Sequence, residues 1–171
     1  MTELQKKFRE LSKHPETIVV NYPGDSVSPG PLYSRGYANC NAVVLLAENV
    51  AGLTHYDSRV GSEIYLNEII NRMARQGQFP DNAVVVGGDE RHMDRNLRIL
   101  YERGINIANG YSDGEDDIPL LTEEIFKGLR LKLKRDKGHK RLWGLKDILV
   151  VPETQEVLVH RQYQGDFIKL S

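Results

Sequence analysis

Residues 37–56 read YANCNAVVLLAENVAGLTHY, and the way this stretch folds decides the architecture around it. NAVVLLA, residues 41–47, is apolar and rich in β-branched side chains; AGLTHYD, residues 51–57, reads as a second strand; Glu48-Asn49 between them suits a turn. The pattern predicts a hairpin. With a two-residue loop at 48–49, facing residues have numbers that sum to 97. Cys40 then faces Asp57, and His55 is its diagonal neighbour on the same face, about 7–8 Å away at the backbone. An odd-residue loop would put the two on opposite faces. One choice of register therefore brings the chain's only cysteine within side-chain reach of a histidine.

Outward from the hairpin, the chain alternates strand and helix. On the N-terminal side, Leu4, Phe8 and Leu11 mark a short amphipathic helix over about 2–13, able to pack on the body or on a partner. Thr17–Val20 reads as a short strand. The Pro- and Gly-rich residues that follow, up to Gly36, read as a loop leading into Cys40. On the C-terminal side, Ile64, Leu66, Ile69, Ile70 and Met73 have helical spacing, and Gly77 closes that helix. AVVVGG, residues 83–88, is a buried strand, and residues 91–104 form a second helix closed by Gly104. Gly87-Gly88 either brings backbone close to a substrate or ends the strand. DILVVP and EVLVHRQY, separated by Glu153-Thr154-Gln155, restore a strand pair near the C-terminus. The expectation is one α/β domain over 1–171, a layered sandwich of mixed β-sheet with packed helices.

Residues from about 114 to 145 interrupt that pattern and read as a charged insertion. Gly114-Glu115-Asp116-Asp117 opens it, and residues 127–141 hold eight Lys or Arg against one Asp, a local charge of +7. Such a segment suits contact with an acidic partner, nucleic acid phosphates or an anionic membrane, or is a solvated helix face. Aromatic residues interleaved for base stacking are missing, and the whole chain balances 23 basic against 24 acidic residues, so nucleic acid is the weaker expectation.

At 171 residues and 40% hydrophobic, the chain suits one domain with a sizeable core. A single cysteine excludes an intramolecular disulfide, and the close-spaced Cys and His of a structural zinc site are absent from the sequence. The N-terminal residues lack the apolar core of a signal peptide, and no run reaches the length of a membrane span. A reducing, cytoplasmic setting is expected, with export by another route left open.

Free cysteine usually behaves as a small hydrophobe. Cys40, however, sits where the polar Gly36-Tyr37-Ala38-Asn39 stretch meets a strand, a junction that can expose a thiol and aim backbone N–H groups at a substrate carbonyl. An adjacent imidazole turns such a thiol into a nucleophile for acyl transfer. Gly36, Tyr37, Asn39 and Thr54 flank the pair and are the candidates for substrate contact. Asp57 is either a carboxylate that holds the imidazole as its cation or a solvated strand-end residue.

GYANCNAVVLLAENVAGLTH resembles the segment G-x-G-S-C-V-x-V…G-G-[LM]-x-H of the CheD family, the chemoreceptor glutamine deamidases whose fold and Cys-His pair are shared by the cytotoxic necrotizing factor toxins. Gly36, Cys40, Gly52, Leu53 and His55 match. In order after them come a helix at 62–76, VVVGGDE similar to the family's F-G-G-A strand, DRNLRILYERGINI similar to its R-N…L…G-I-P-I, and DILVVPETQEVLVHR similar to its closing strands. Roughly two thirds of the chain follows the pattern. Asn39 stands where the family has serine, Tyr56-Asp57-Ser58 replaces an apolar stretch, and 114–145 has no counterpart in the short members.

The resemblance implies a protein-glutamine deamidase with Cys40 as nucleophile, His55 as base and acid, and Ser34, the hydroxyl residue six positions before the cysteine, orienting the histidine. It implies a thioester intermediate, no metal and no organic cofactor, a protein substrate such as a chemotaxis receptor or another regulatory protein, and a regulatory protein partner. The same pair of residues would also serve a cysteine protease or a small-molecule amidase. The alternative from another class is a non-catalytic protein-binding module of the same fold.

Overall fold

The computed structural model describes residues 1–88, 90–111 and 144–171. Its elements are α1 (Glu3–Leu11), β1 (Ile18–Val19), β2 (Gly24–Ser28), β3 (Leu32–Tyr37), β4 (Asn41–Leu46), β5 (Ala51–His55), α2 (Ser62–Arg75), β6 (Asn82–Gly87), α3 (Glu90–Glu102), β7 (Asn106–Tyr111), β8 (Lys146–Val151), β9 (Glu156–Arg161) and β10 (Asp166–Lys169). The strands form two five-stranded mixed sheets, ordered β1-β3-β8-β9-β10 and β2-β5-β4-β6-β7. Each sheet has one parallel pair at an edge, β1 with β3 and β6 with β7.

The sheets pack face to face, because side chains of both meet in one core. Ala42, Val44, Leu46 and Leu53 from one sheet meet Leu32, Ile148, Val150, Val157 and Val159 from the other. Alternate residues of β4, Val43 and Leu45, point the opposite way and pack beneath α2 and α3 with Leu66, Ile69, Met73, Met93 and Leu97. This explains why NAVVLL is apolar throughout rather than alternating: both of its faces are covered. Phe8 of α1 packs on the outer face of the other sheet, against Tyr33, Leu149, Leu158 and Phe167. The helix at the N-terminus thus belongs to the body, starting at a Thr2 cap whose hydroxyl accepts from Gln5 N at 3.2 Å.

The hairpin has the expected register: Val44 faces Leu53, Leu45 faces Gly52, Leu46 faces Ala51, and an isolated bridge joins Asn41 to Tyr56. Gly52 is required on the helix side, where a Cβ would stand 2.9 Å from Ile69 Cδ1.

Two expectations are corrected, and two strands emerge that the sequence pattern does not announce. The stretch from Asn21 to Gly36 is not a loop, since it contains β2 and most of β3. Pro23, Pro29 and Pro31 all fall just outside the paired residues, and β2 is an edge strand bonded only to β5, so none of them costs a ladder bond. Ile64 is not a core residue of α2 but is 70% exposed, and Tyr65 takes the buried position. Residues 106–111 and 166–169 pair as strands, although polar and glycine residues conceal the pattern. The basic segment 127–141 and nearly all of the 114–145 insertion lie outside the described residues. Among the described residues, no helix is long and apolar enough to cross a membrane.

Candidate active site

The chain crosses from one sheet to the other between β3 and β4, and Cys40 sits at that crossing, half-buried, directly before β4. By the register of the hairpin it shares a face with His55. Ser34 lies on β3 of the facing sheet, and its Oγ is 2.9 Å from His55 Nδ1. The same hydroxyl donates its only hydrogen to Val20 O at 2.5 Å. It must therefore accept from Nδ1–H, which fixes the tautomer: Nε2 carries the lone pair. Nε2 is buried and bonded to no described residue, the state required of a base awaiting a proton.

Two tyrosines frame the imidazole. Tyr37 stacks on it, with centroids 3.7 Å apart and planes 16° from parallel, and its hydroxyl donates to Thr54 O at 2.7 Å. Tyr22 approaches tilted, with centroids 5.3 Å apart. That both Ser34 and Tyr37 reach His55 requires a break in strand alternation, since residues three apart on a regular strand face opposite ways. A bulge supplies it. The β3–β8 ladder shifts between Arg35 and Tyr37, and the extra residue is Gly36, at φ +82° with its N–H on Asp147 Oδ1 at 3.1 Å.

Of the other candidates, Asn39 is exposed at the rim beside Cys40. Gly36, Tyr37 and Thr54 serve the scaffold instead. Tyr37 is fully buried, and Thr54, next to His55 on the strand, points to the helix side, where its hydroxyl accepts from Val43 N at 2.9 Å. Asp57 does not hold the imidazole. Ser34 occupies Nδ1, and the Asp57 carboxylate accepts instead from Arg59 Nε at 2.8 Å and from the Tyr22 hydroxyl at 2.7 Å. The Arg59 bonds, then that of Tyr22, hold the carboxyl well below its usual range.

A polar network missed by sequence reasoning lies behind Cys40. Asn41, the residue after Cys40, donates from Nδ2 to Gly87 O and accepts at Oδ1 from Asn96 Nδ2 at 2.6 Å. Asn96 Oδ1 accepts from the Tyr65 hydroxyl at 3.0 Å, which also meets His92 Nε2 at 2.7 Å. Asn41 and Asn96 are fully buried, and such a network fixes the start of β4 and with it the cysteine. Gly88 has a role beyond the two anticipated: its bare Cα makes room for Asn41, whose Cβ would stand 2.8 Å from an added Cβ. Arg95-Asn96 was legible as a pair, but nothing in the sequence marked Asn96 as a partner of Asn41.

Burial lowers the pKa of His55 from 6.5 to about 4. In the unfolded chain it takes up a proton near 6.5, so between these values the unfolded state binds more protons and stability rises with pH. This contribution is complete above pH 6.5 and is lost as pH falls toward 4, amounting to about 3 kcal/mol for a 2%-exposed side chain. Urea midpoints measured from pH 7 to 4 should fall more for the wild type than for His55→Gln. Equal slopes would show that His55 is not desolvated. Glu156, held at about 2 mainly by Lys7, gains its proton near 4.5 in the unfolded chain and so adds equally to the acid-side fall of both proteins, which leaves their difference to His55.

Among the described residues, no group of three or more His, Cys, Asp or Glu converges as metal ligands would. The geometry can do nucleophile-and-base chemistry at a carbonyl. No known protein family's sequence profile matches the chain.

Proposed function

We propose that the chain is a protein-glutamine deamidase of CheD-like fold, acting in the cytoplasm on a chemoreceptor or another regulatory protein. The observation that carries this reading is the bond from His55 Nδ1–H to Ser34 Oγ, whose own hydrogen is committed to Val20 O. It leaves Nε2 as the basic nitrogen, on the face that His55 shares with Cys40, and it supports the orienting role that the family resemblance implies for Ser34. The glutamine specificity and the regulatory partner rest on that resemblance, whereas recognition of an acidic partner by residues 127–141 rests on their local charge of +7.

The reaction follows from these positions. As Cys40 Sγ attacks the side-chain amide carbon, its proton passes to His55 Nε2, and the carbonyl electrons move to an oxyanion held by backbone N–H groups at the exposed bend of Ala38-Asn39. His55 then protonates the departing nitrogen, the C–N bond breaks and ammonia leaves a thioester on Cys40. Water attacks the thioester with His55 as base, and the C–S bond breaks to give glutamate and the free thiol. Because burial keeps His55 neutral at rest, the proton moves during attack rather than residing beforehand on the imidazole.

The test is the product. Incubation with candidate protein substrates should add about 1 Da per converted glutamine and release one ammonia. Backbone cleavage would identify a protease instead. Ser34→Ala should lower kcat roughly 10-fold with little change in KM, since Ser34 orients the base and meets no substrate. Unchanged turnover would remove Ser34 from the mechanism.

A further inference from the structure

We propose that Tyr22 is a positioning residue for His55 and that the Asp57–Arg59 ion pair is the clamp that holds it, an inference that rests on Cys40 and His55 being the reacting pair. Tyr22 lies between β1 and β2, outside any strand, and is 43% exposed, yet its ring covers an imidazole that is 2% exposed. Tyr37 shields the ring from the interior side and is fixed by burial and by Thr54 O. Tyr22 has no such burial. Its position comes from its hydroxyl, which donates to Asp57 Oδ2 at 2.7 Å and accepts from Arg59 Nη2 at 2.7 Å. Both directions of that hydroxyl's hydrogen bonding are thus used, and Arg59 is itself held by Asp57 through Nε and through its backbone N–H.

An exposed ion pair adds little to stability, so stability is a weak reason for this arrangement. Its geometric result is more specific. Asp57 stands in the register position opposite Cys40, and the clamp is therefore built at the border of the thiol and sets the one exposed wall of the imidazole. With that wall in place, water is excluded and the ring stays neutral. The polar and charged groups around His55 are Ser34 and Tyr37 of β3, Cys40 ahead of β4, and Tyr22 with its clamp; Asp25 of β2 is turned away to Arg72 and Tyr56.

The experiment follows the His55 ring proton by NMR across pH and the rate of Cys40 alkylation by iodoacetamide, in Tyr22→Ala, Tyr22→Phe, Asp57→Asn and Arg59→Gln. Tyr22→Ala should move the His55 titration from about 4 toward 6.5, by roughly one pH unit or more, and raise the alkylation rate at pH 7 up to about 10-fold, because a more basic imidazole draws the thiol proton more readily. Asp57→Asn, Arg59→Gln and Tyr22→Phe loosen the clamp and keep the ring, so they should shift the titration the same way by less. The three are mild changes at the surface and decide the matter if Tyr22→Ala fails to fold. An unmoved titration and alkylation rate in the folded variants would overturn the proposal. Failure of the underlying pair looks different: alkylation would then be indifferent to His55→Ala.

Discussion

Cys40→Ser should abolish ammonia release and the mass gain on the protein substrate, a loss of at least about 10³-fold in turnover, with circular dichroism unchanged. Cys40 is half-buried at a chain crossing and packs at the margin of the inter-sheet core, so exchanging sulfur for oxygen removes the proposed nucleophile without opening a cavity. His55→Ala should cost nearly as much. Without it the thiol has no acceptor for its proton, and the departing nitrogen has no donor. The same variant should slow alkylation of Cys40 near neutral pH. Rapid alkylation of Cys40 in His55→Ala would break the pair, whereas full biological activity in Cys40→Ser would leave the protein as a binding module of this fold.

Gly88→Ala should destabilise the fold by about 3 kcal/mol and lower Tm by roughly 6–12 °C. Two costs combine there. At φ +83° a side chain meets its own backbone, and the added Cβ would press on Asn41 Cβ at 2.8 Å. Asn41 cannot retreat without breaking its bonds to Gly87 O and Asn96. Because Cys40 is the adjacent residue, its alkylation rate should change in the folded fraction of the variant as well. A wild-type Tm would show that Asn41 has slack and that the network is not what fixes the cysteine.

The hairpin, α2, α3 and the terminal strand pair were legible because burial imposes a period on their apolar residues. Leu66, Ile69 and Met73 must face one sheet, and Val43 and Val44 must face two different layers. Edge strands escape this logic. β2 reads GDSVS and β7 reads NIANGY, and what makes them strands is the ladder offered by β5 and β6. In the site, Cys40 and His55 were visible because one local register relates them. The bulge at Gly36 was not, and without it Gly36 and Tyr37 read as loop residues beside the thiol, open to a substrate. Thr54 was legible in principle: strand alternation alone turns it away from His55. Tyr22 and Asp57 are 35 residues apart, and no local periodicity joins them.

Ser34 comes from one sheet, His55 from the other, and Cys40 from the strand-to-strand crossing that joins them. Neither sheet, excised, would contain the proposed site. On the proposed reading, competence is a property of the seam: the 2.9 Å contact between Oγ and Nδ1 exists only while the two layers hold one lateral alignment. Close-packed interiors do not slide by small continuous amounts. A shear of one layer past the other, from either outer surface, would therefore keep the Ser34–His55 contact whole or break it outright.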